Sequence, residues 1–123
     1  MKTPLVIRVP GPPVGKERPR ASPSGHFYTP PRTQAYEKTV RLFALQAMKA
    51  SGWVKTEANV KIWVHAYVAD KRRRDLDNLE KVAADSLNDL VWEDDSQIVE
   101  SHAYKKLDRD NPRLEITVEV DDE

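Results

Sequence analysis

Residues 60–68 alternate without a break. Val60, Ile62, Val64, Ala66 and Val68 fall on one side, and Lys61, Trp63, His65 and Tyr67 on the other. A period of two marks a β-strand with one face in an apolar core and one face free. Such a strand needs paired neighbours and a layer to cover its apolar face. The chain supplies candidates for both. Leu79, Val82, Ala83, Leu87 and Leu90 recur at helical spacing just downstream. Upstream, Tyr36, Val40, Phe43, Ala44 and Ala47 do the same over 33–49, with Thr33 as the expected cap and Ser51-Gly52 as the stop. Residues 5–9, 98–105 and 114–120 read as further strands, the last two around a turn at 108–112. The order β-α-β-α-β-β predicts an α+β fold, with two helices packed on one mixed sheet. A chain of 123 residues is enough for a single domain, 1–123. Its core is modest, so dimerisation is a natural source of added stability.

Residues 10–32 contain seven prolines with Gly11, Gly15 and Gly25 among them, and no regular element is expected there. A loop of this length in a compact domain is usually functional or disordered, and this one carries Lys16, Arg18, Arg20 and Arg32. The net charge of zero hides a sharp division. Residues 1–74 hold 15 Lys/Arg against four acids, whereas 75–123 hold five against 16. A polyanion-binding portion joined to a carboxylate-rich portion would give this pattern, and so would a fold that interleaves the two. There is no cysteine, which excludes disulfides, zinc–thiolate sites and cysteine nucleophiles. No apolar run approaches the ~20 residues of a membrane span, so a soluble, cytoplasmic protein without membrane contact is expected.

The chemistry concentrates after the alternating strand. Lys71, Arg72, Arg73 and Arg74 run directly into Asp75-Leu76-Asp77-Asn78, and Asp94-Asp95 follow beyond the second helix. Carboxylates at a strand end, met by others past the next helix, can converge on a hard cation such as Mg²⁺, which takes oxygen ligands and keeps several waters. Alternatively Asp77 caps the helix and the other acids are solvated. The arginine run favours a metal site that faces phosphate. Lys81 lies one helical turn beyond Asp77, either as a surface i,i+4 partner or as a cation for transition-state charge. Gly11 to Lys16 lacks the spacing of a P-loop, and Asp75-Leu76-Asp77 lacks the glycine and later ligands of an EF-hand. His26, His65 and His102 have no ligand spacing, and Trp63 and Trp92 read as packing residues.

Arg72-Arg73-Arg74-Asp75-Leu76-Asp77-Asn78-Leu79, then Lys81, Asp85 and Leu87, then Trp92-Glu93-Asp94-Asp95-Ser96-Gln97-Ile98-Val99 closely resemble the RusA family of Holliday-junction resolvases. The segment Gly15-Lys16-Glu17-Arg18-Pro19-Arg20, with Tyr28-Thr29-Pro30, resembles many phage and prophage members. The resemblance implies a homodimeric crossover junction endodeoxyribonuclease that nicks four-way DNA symmetrically with Mg²⁺, in recombination and repair. It further implies that Asp75, Asp77 and Asp95 are the catalytic, metal-holding carboxylates, with Asp94 second to Asp95. Lys81 matches the family's functional lysine and Arg74 the arginine before the acids. Lys16, Arg18, Arg20, Arg72, Arg73 and Arg74 are the expected DNA-binding residues. A non-catalytic, structure-specific DNA-binding protein would need only the basic half, and it leaves Asp94-Asp95 beside Trp92 unexplained.

Overall fold

The computed structural model describes residues 3–72 and 74–121. Its main sheet has four strands in the order β1 (Leu5–Pro10), β6 (Arg113–Val120), β4 (Val60–Val68), β5 (Ile98–Leu107). Strand β4 is antiparallel to β6 and parallel to β5, so the sheet is mixed as expected. The parallel pair requires a crossover, which helix α2 (Leu76–Leu87) provides. Helix α1 (Pro31–Ser51) links the first part of the chain to β4.

The alternation in β4 holds residue for residue. Val60, Ile62, Val64, Ala66 and Val68 are buried, and the residues between them are half-buried. Leu5, Ile7 and Val9 of β1 and Leu114, Ile116 and Val118 of β6 extend the same apolar face. Tyr36, Val40 and Ala44 of α1 cover it together with Leu79, Val82, Ala83 and Leu87 of α2. Both helices thus lie on one face. The other face, with Trp63, His65 and Tyr67, has no layer over it among the described residues.

Three local expectations are corrected. Residues 10–32 are not wholly irregular: β2 (Arg20–Ala21) and β3 (Phe27–Tyr28) form a short hairpin closed by Ser22 and Gly25, whose φ is +86°. Thr33 does not cap α1. The helix begins at Pro31, because proline's missing N–H is one of the donors that a first helical residue leaves unused anyway. Thr33 is instead buried, and its hydroxyl donates to Glu17 Oε1 at 2.9 Å and accepts from the Glu17 backbone N–H at 3.3 Å. Asp77 does not cap α2 either. Asp75 occupies the N-cap position, and its side chain makes no capping bond.

Candidate active site

Strand β4 delivers the chain to the loop before α2, and that loop is fixed by Asp70 and Arg74. Arg74 Nη1 donates to Asp70 Oδ1 at 2.9 Å, and the Arg72 backbone N–H donates to the same oxygen at 2.9 Å. The Arg74 guanidinium and the Arg72 N–H hold the Asp70 carboxyl below the usual carboxylate range. Lys105 on β5 closes the loop from below by donating to the Arg74 carbonyl at 2.8 Å. Arg72 stays exposed, and Arg73 lies outside the described residues.

Asp75 and Asp77 follow at the first turn of α2, and both are exposed. Since neither side chain caps the helix, both carboxylates remain open to a ligand. Asp75 Oδ2 has a long contact with Asn78 Nδ2, 3.4 Å. Asp75 lines a cleft of about 620 Å³ with Gly15, Lys16, Arg18, Arg32, Arg74 and Asn78 among its walls. Asp77 and Lys81 line a second groove, about 300 Å³, between α2 and the start of β5. No ion pair joins Asp77 to Lys81 among the described residues.

The Pro-rich segment is pinned against this end of α2. The Lys16 backbone N–H donates to the Asn78 carbonyl at 2.9 Å, and the approach is close enough that a Cβ on Gly15 would lie 3.4 Å from Asn78 Cβ. The Lys16 ammonium does not face the cleft as a free cation. It sits between Glu37 Oε2 on α1 (2.9 Å) and Asp85 Oδ2 on α2 (3.1 Å), with its side chain 18% exposed. Burial lowers its pKa, but the bonds to Glu37 and Asp85 outweigh that and raise it above the usual lysine value. Arg18 is exposed, and Arg20 lies 3.7 Å from Glu17.

Asp95 lies elsewhere. Val91 and Glu93 bracket Thr56, just ahead of β4, through backbone bonds of 3.2 Å each. Gln97 Nε2 donates to the carbonyls of Thr56 (2.9 Å) and Ala58 (2.8 Å). Asp94 caps the 3-10 turn Asp95–Gln97, accepting from the Ser96 N–H at 3.0 Å, while Gln97 Oε1 accepts from the Asp94 N–H at 2.8 Å. These bonds from Ser96 hold the Asp94 carboxyl below the usual range. Trp92 is fully buried, as a packing residue should be, and its indole N–H donates to Asp95 Oδ1 at 2.9 Å.

Asp95 therefore stands at the opposite end of α2 from Asp75 and Asp77, and the 12 residues of that helix span ~18 Å. Among the described residues no three His, Asp or Glu side chains cluster closely enough to hold a metal ion. Within one chain the structure brings Asp75 to the arginine-lined cleft and leaves Asp77 in the groove with Lys81, and it does not bring Asp95 to either.

The family model described as endodeoxyribonuclease RusA matches residues 10–119. The chain belongs to the RusA endodeoxyribonuclease family. The crossover junction endodeoxyribonuclease RusA of Escherichia coli strain K12 is 34% identical over 113 residues, 91% of each chain. The rusA counterpart from Enterobacteria phage 82 is 42% identical over 60 residues, 48% of this chain and 50% of its own. This RusA protein is accordingly a nuclease that hydrolyses phosphodiester bonds. No helix among the described residues is long and apolar enough to cross a membrane.

Three contributors to the site carry little signal in the sequence. Arg32 reads only as part of a basic loop, although it joins Arg18 and Arg74 in the cleft wall. Asp70 stands two residues before Arg72, the spacing of an Asx turn, and that spacing is the one sign of its role. Trp92 stands three residues before Asp95, but nothing in a sequence shows where an indole N–H points.

Proposed function

We propose that this RusA protein is a Mg²⁺-dependent, homodimeric endonuclease that resolves four-way DNA junctions by paired nicks, in DNA recombination and repair in the cytoplasm. The observation that carries the reading is the pair Asp75 and Asp77 at the first turn of α2, both exposed and neither used to cap it, with Asp75 in a cleft walled by Arg18, Arg32 and Arg74 and Asp77 in the neighbouring groove. The substrate follows from the names borne by its relatives. All the candidate donors are carboxylate oxygens, which suits a hard cation. Two carboxylates give few protein ligands, and Asp95 is an α2-length away. A two-fold partner with its own α2 running antiparallel alongside would carry its Asp95 to this end. Asp75 and Asp77 of one copy and Asp95 of the other would then hold the ion.

A bound Mg²⁺ would acidify the attacking water and offset charge at the scissile phosphate. The chain's own groups do the rest. Arg18, Arg32, Arg72 and Arg74 dock the DNA backbone, with Arg20 and Arg73 extending the basic rim. Lys81, exposed in the groove beside Asp77, stabilises negative charge on the five-coordinate phosphate. Lys16 fixes the loop that carries Arg18, and Asp94 fixes the turn that carries Asp95.

Cleavage of a four-way junction and of a matched linear duplex, with and without Mg²⁺, tests the reading. Asp75→Asn, Asp77→Asn and Asp95→Asn should each fold and bind junctions but lose cleavage by orders of magnitude. If all three cut at near wild-type rates, the site is wrong. Mixing Asp75→Asn with Asp95→Asn adds a decisive arm. In a shared site, a mixed dimer has one doubly damaged centre and one intact centre, so about a quarter of wild-type centres return as single-strand nicks. No recovery after subunit exchange would refute sharing.

A further inference from the structure

The hairpin of β2 and β3 has no core of its own. A two-stranded ribbon buries little, and its four strand residues are all exposed. Yet it carries two adjacent aromatic side chains, Phe27 at 75% exposure and Tyr28 at 42%. Ala21 stands opposite Phe27, and Arg20 opposite Tyr28. Successive residues alternate, so one ribbon face presents Phe27 beside a methyl group and the other presents Tyr28 beside a guanidinium. Nothing among the described residues covers the Phe27 ring.

The ribbon is held at both ends. At the turn, the Ser22 carbonyl accepts from the Gly25 N–H at 2.9 Å, and the Ser22 N–H donates to the His26 carbonyl at 2.7 Å. The Ser22 hydroxyl accepts from the His26 N–H at 3.2 Å. At the base, Glu17 bonds to Thr33 and lies 3.7 Å from Arg20, while Gln34 donates to the Thr29 carbonyl. Pro19, Pro23, Pro30 and Pro31 restrict the backbone around it. The chain enters the ribbon from Arg18 and leaves it toward Arg32, and both arginines stand in the wall of the Asp75 cleft. Ala21 lies three residues beyond Arg18, at most ~11 Å along an extended chain, whereas a DNA strand advances about 3.4 Å per nucleotide. The aromatic pair therefore stands within a few nucleotides of a phosphate bound in the cleft.

Arginines meet backbone phosphates, which every DNA carries, so the cleft alone does not distinguish a branch from a plain duplex. Inside a duplex each base is stacked on both sides. At a branch point the last pair of each arm has an uncovered face wherever the arms part. A ring held in solvent beside a cation-lined cleft suits that feature, because an aromatic side chain stacks on any base. We infer that Phe27 is a specificity-determining residue that stacks on an uncovered base at the branch point, with Arg20 meeting the adjoining phosphate. This role rests on the four-way-junction substrate proposed above and supplies the recognition of the branch which that substrate requires.

Binding to a four-way junction and to a matched linear duplex, both measured in EDTA so that no strand is cut, tests it. Phe27→Ala should weaken junction binding by about 5–150-fold, the loss expected when one base-stacking ring is removed. Duplex binding and the salt slope should not change, because no phosphate contact is lost. Phe27→Trp should restore the junction preference. Phe27→Leu, which keeps apolar bulk without a π-face, should not. An unchanged urea midpoint shows that each variant is folded. Equal losses on both DNAs, no loss on either, or rescue by leucine would overturn the assignment. So would a Phe27→Ala protein that sediments in a smaller form than wild type, since the ring would then be a contact between chains. A wild type that neither prefers nor cleaves junctions refutes the substrate reading itself. A wild type that prefers junctions, with Phe27→Ala keeping that preference, refutes only the role of Phe27.

Discussion

Replacing Lys16 separates two roles that its sequence position leaves indistinguishable. As a phosphate contact, Lys16 would matter to binding and not to folding. The structure places its ammonium 2.9 Å from Glu37 and 3.1 Å from Asp85, with the three side chains 18%, 19% and 32% exposed. Lys16→Met keeps most of the stem's packing and leaves two half-buried carboxylates without their cation. Breaking a fully buried pair this way costs about 3–5 kcal/mol. Partial solvent screening lowers that here to ~1–3 kcal/mol. For a domain expected to be stable by ~6–18 kcal/mol, such a loss is readily measured. Urea unfolding should show a lower midpoint at unchanged slope. Adding Glu37→Gln and Asp85→Asn should recover much of the stability, because no uncompensated charge remains. The pH dependence has a definite sign. Lys16's folded pKa is raised, so its contribution is complete below the ordinary 10.5 and fades as pH climbs through the raised value. The gap between wild type and Lys16→Met should therefore close in alkali. A variant as stable as wild type, but with a flatter salt dependence of DNA binding, would refute this assignment and return Lys16 to the phosphate-binding set.

The companion experiment on the cleft uses Arg18→Ala with Arg32→Ala. Stability should hold, while the slope of log binding constant against log salt falls by roughly 0.9 for each phosphate that the protein no longer neutralises; an unchanged slope removes both from the DNA interface. Trp92→Phe deletes the hydrogen bond to Asp95 and keeps an aromatic ring in the core. Removing a residue that orients a metal ligand typically costs about 10–100-fold in metal affinity or activity. The Mg²⁺ concentration giving half-maximal cleavage should rise by that order, and an unshifted Mg²⁺ dependence would leave Trp92 a packing residue alone.

How much of the molecule is legible in its sequence depends on how local each determinant is. The β4 alternation depends on a single period, and both its boundaries and its buried face follow from residues 60–68. Helix starts depend on which of several adequate residues takes the cap. Thr33 gives way to Pro30-Pro31, and Asp77 to Asp75, by two or three residues in each case. The hairpin at Arg20–Ala21 and Phe27–Tyr28 is hidden because two residues per strand give no period to detect. The acidic residues of the site are legible through motif resemblance. Their separation is not, because spacing along a chain does not say that a helix will carry Asp95 away from Asp75.

The opposed charges of the two halves find a similar resolution. Arg8–Glu115 (3.7 Å), Lys16–Asp85 (3.1 Å), Lys55–Asp89 (2.8 Å), Lys55–Glu93 (3.5 Å) and Lys61–Asp121 (3.8 Å) all join the basic half to the acidic one. The fold thus interleaves much of the asymmetry, which is the bland outcome. What it leaves is the more informative remainder. Arg18 and Arg32 stand exposed in the wall of the cleft and make no ion pair among the described residues, while Asp75 lines the same cleft. For a protein that only binds DNA, a carboxylate there is a defect, since it repels the phosphate that the arginines attract. Removing its charge should strengthen binding. For a nuclease the same carboxylate is useful once a cation lies between it and the phosphate, because the repulsion becomes a bridge. Junction affinity measured for Asp75→Asn in EDTA and in Mg²⁺ distinguishes the two. Tighter binding than wild type in EDTA, with that advantage gone in Mg²⁺, is the result a metal bridge requires.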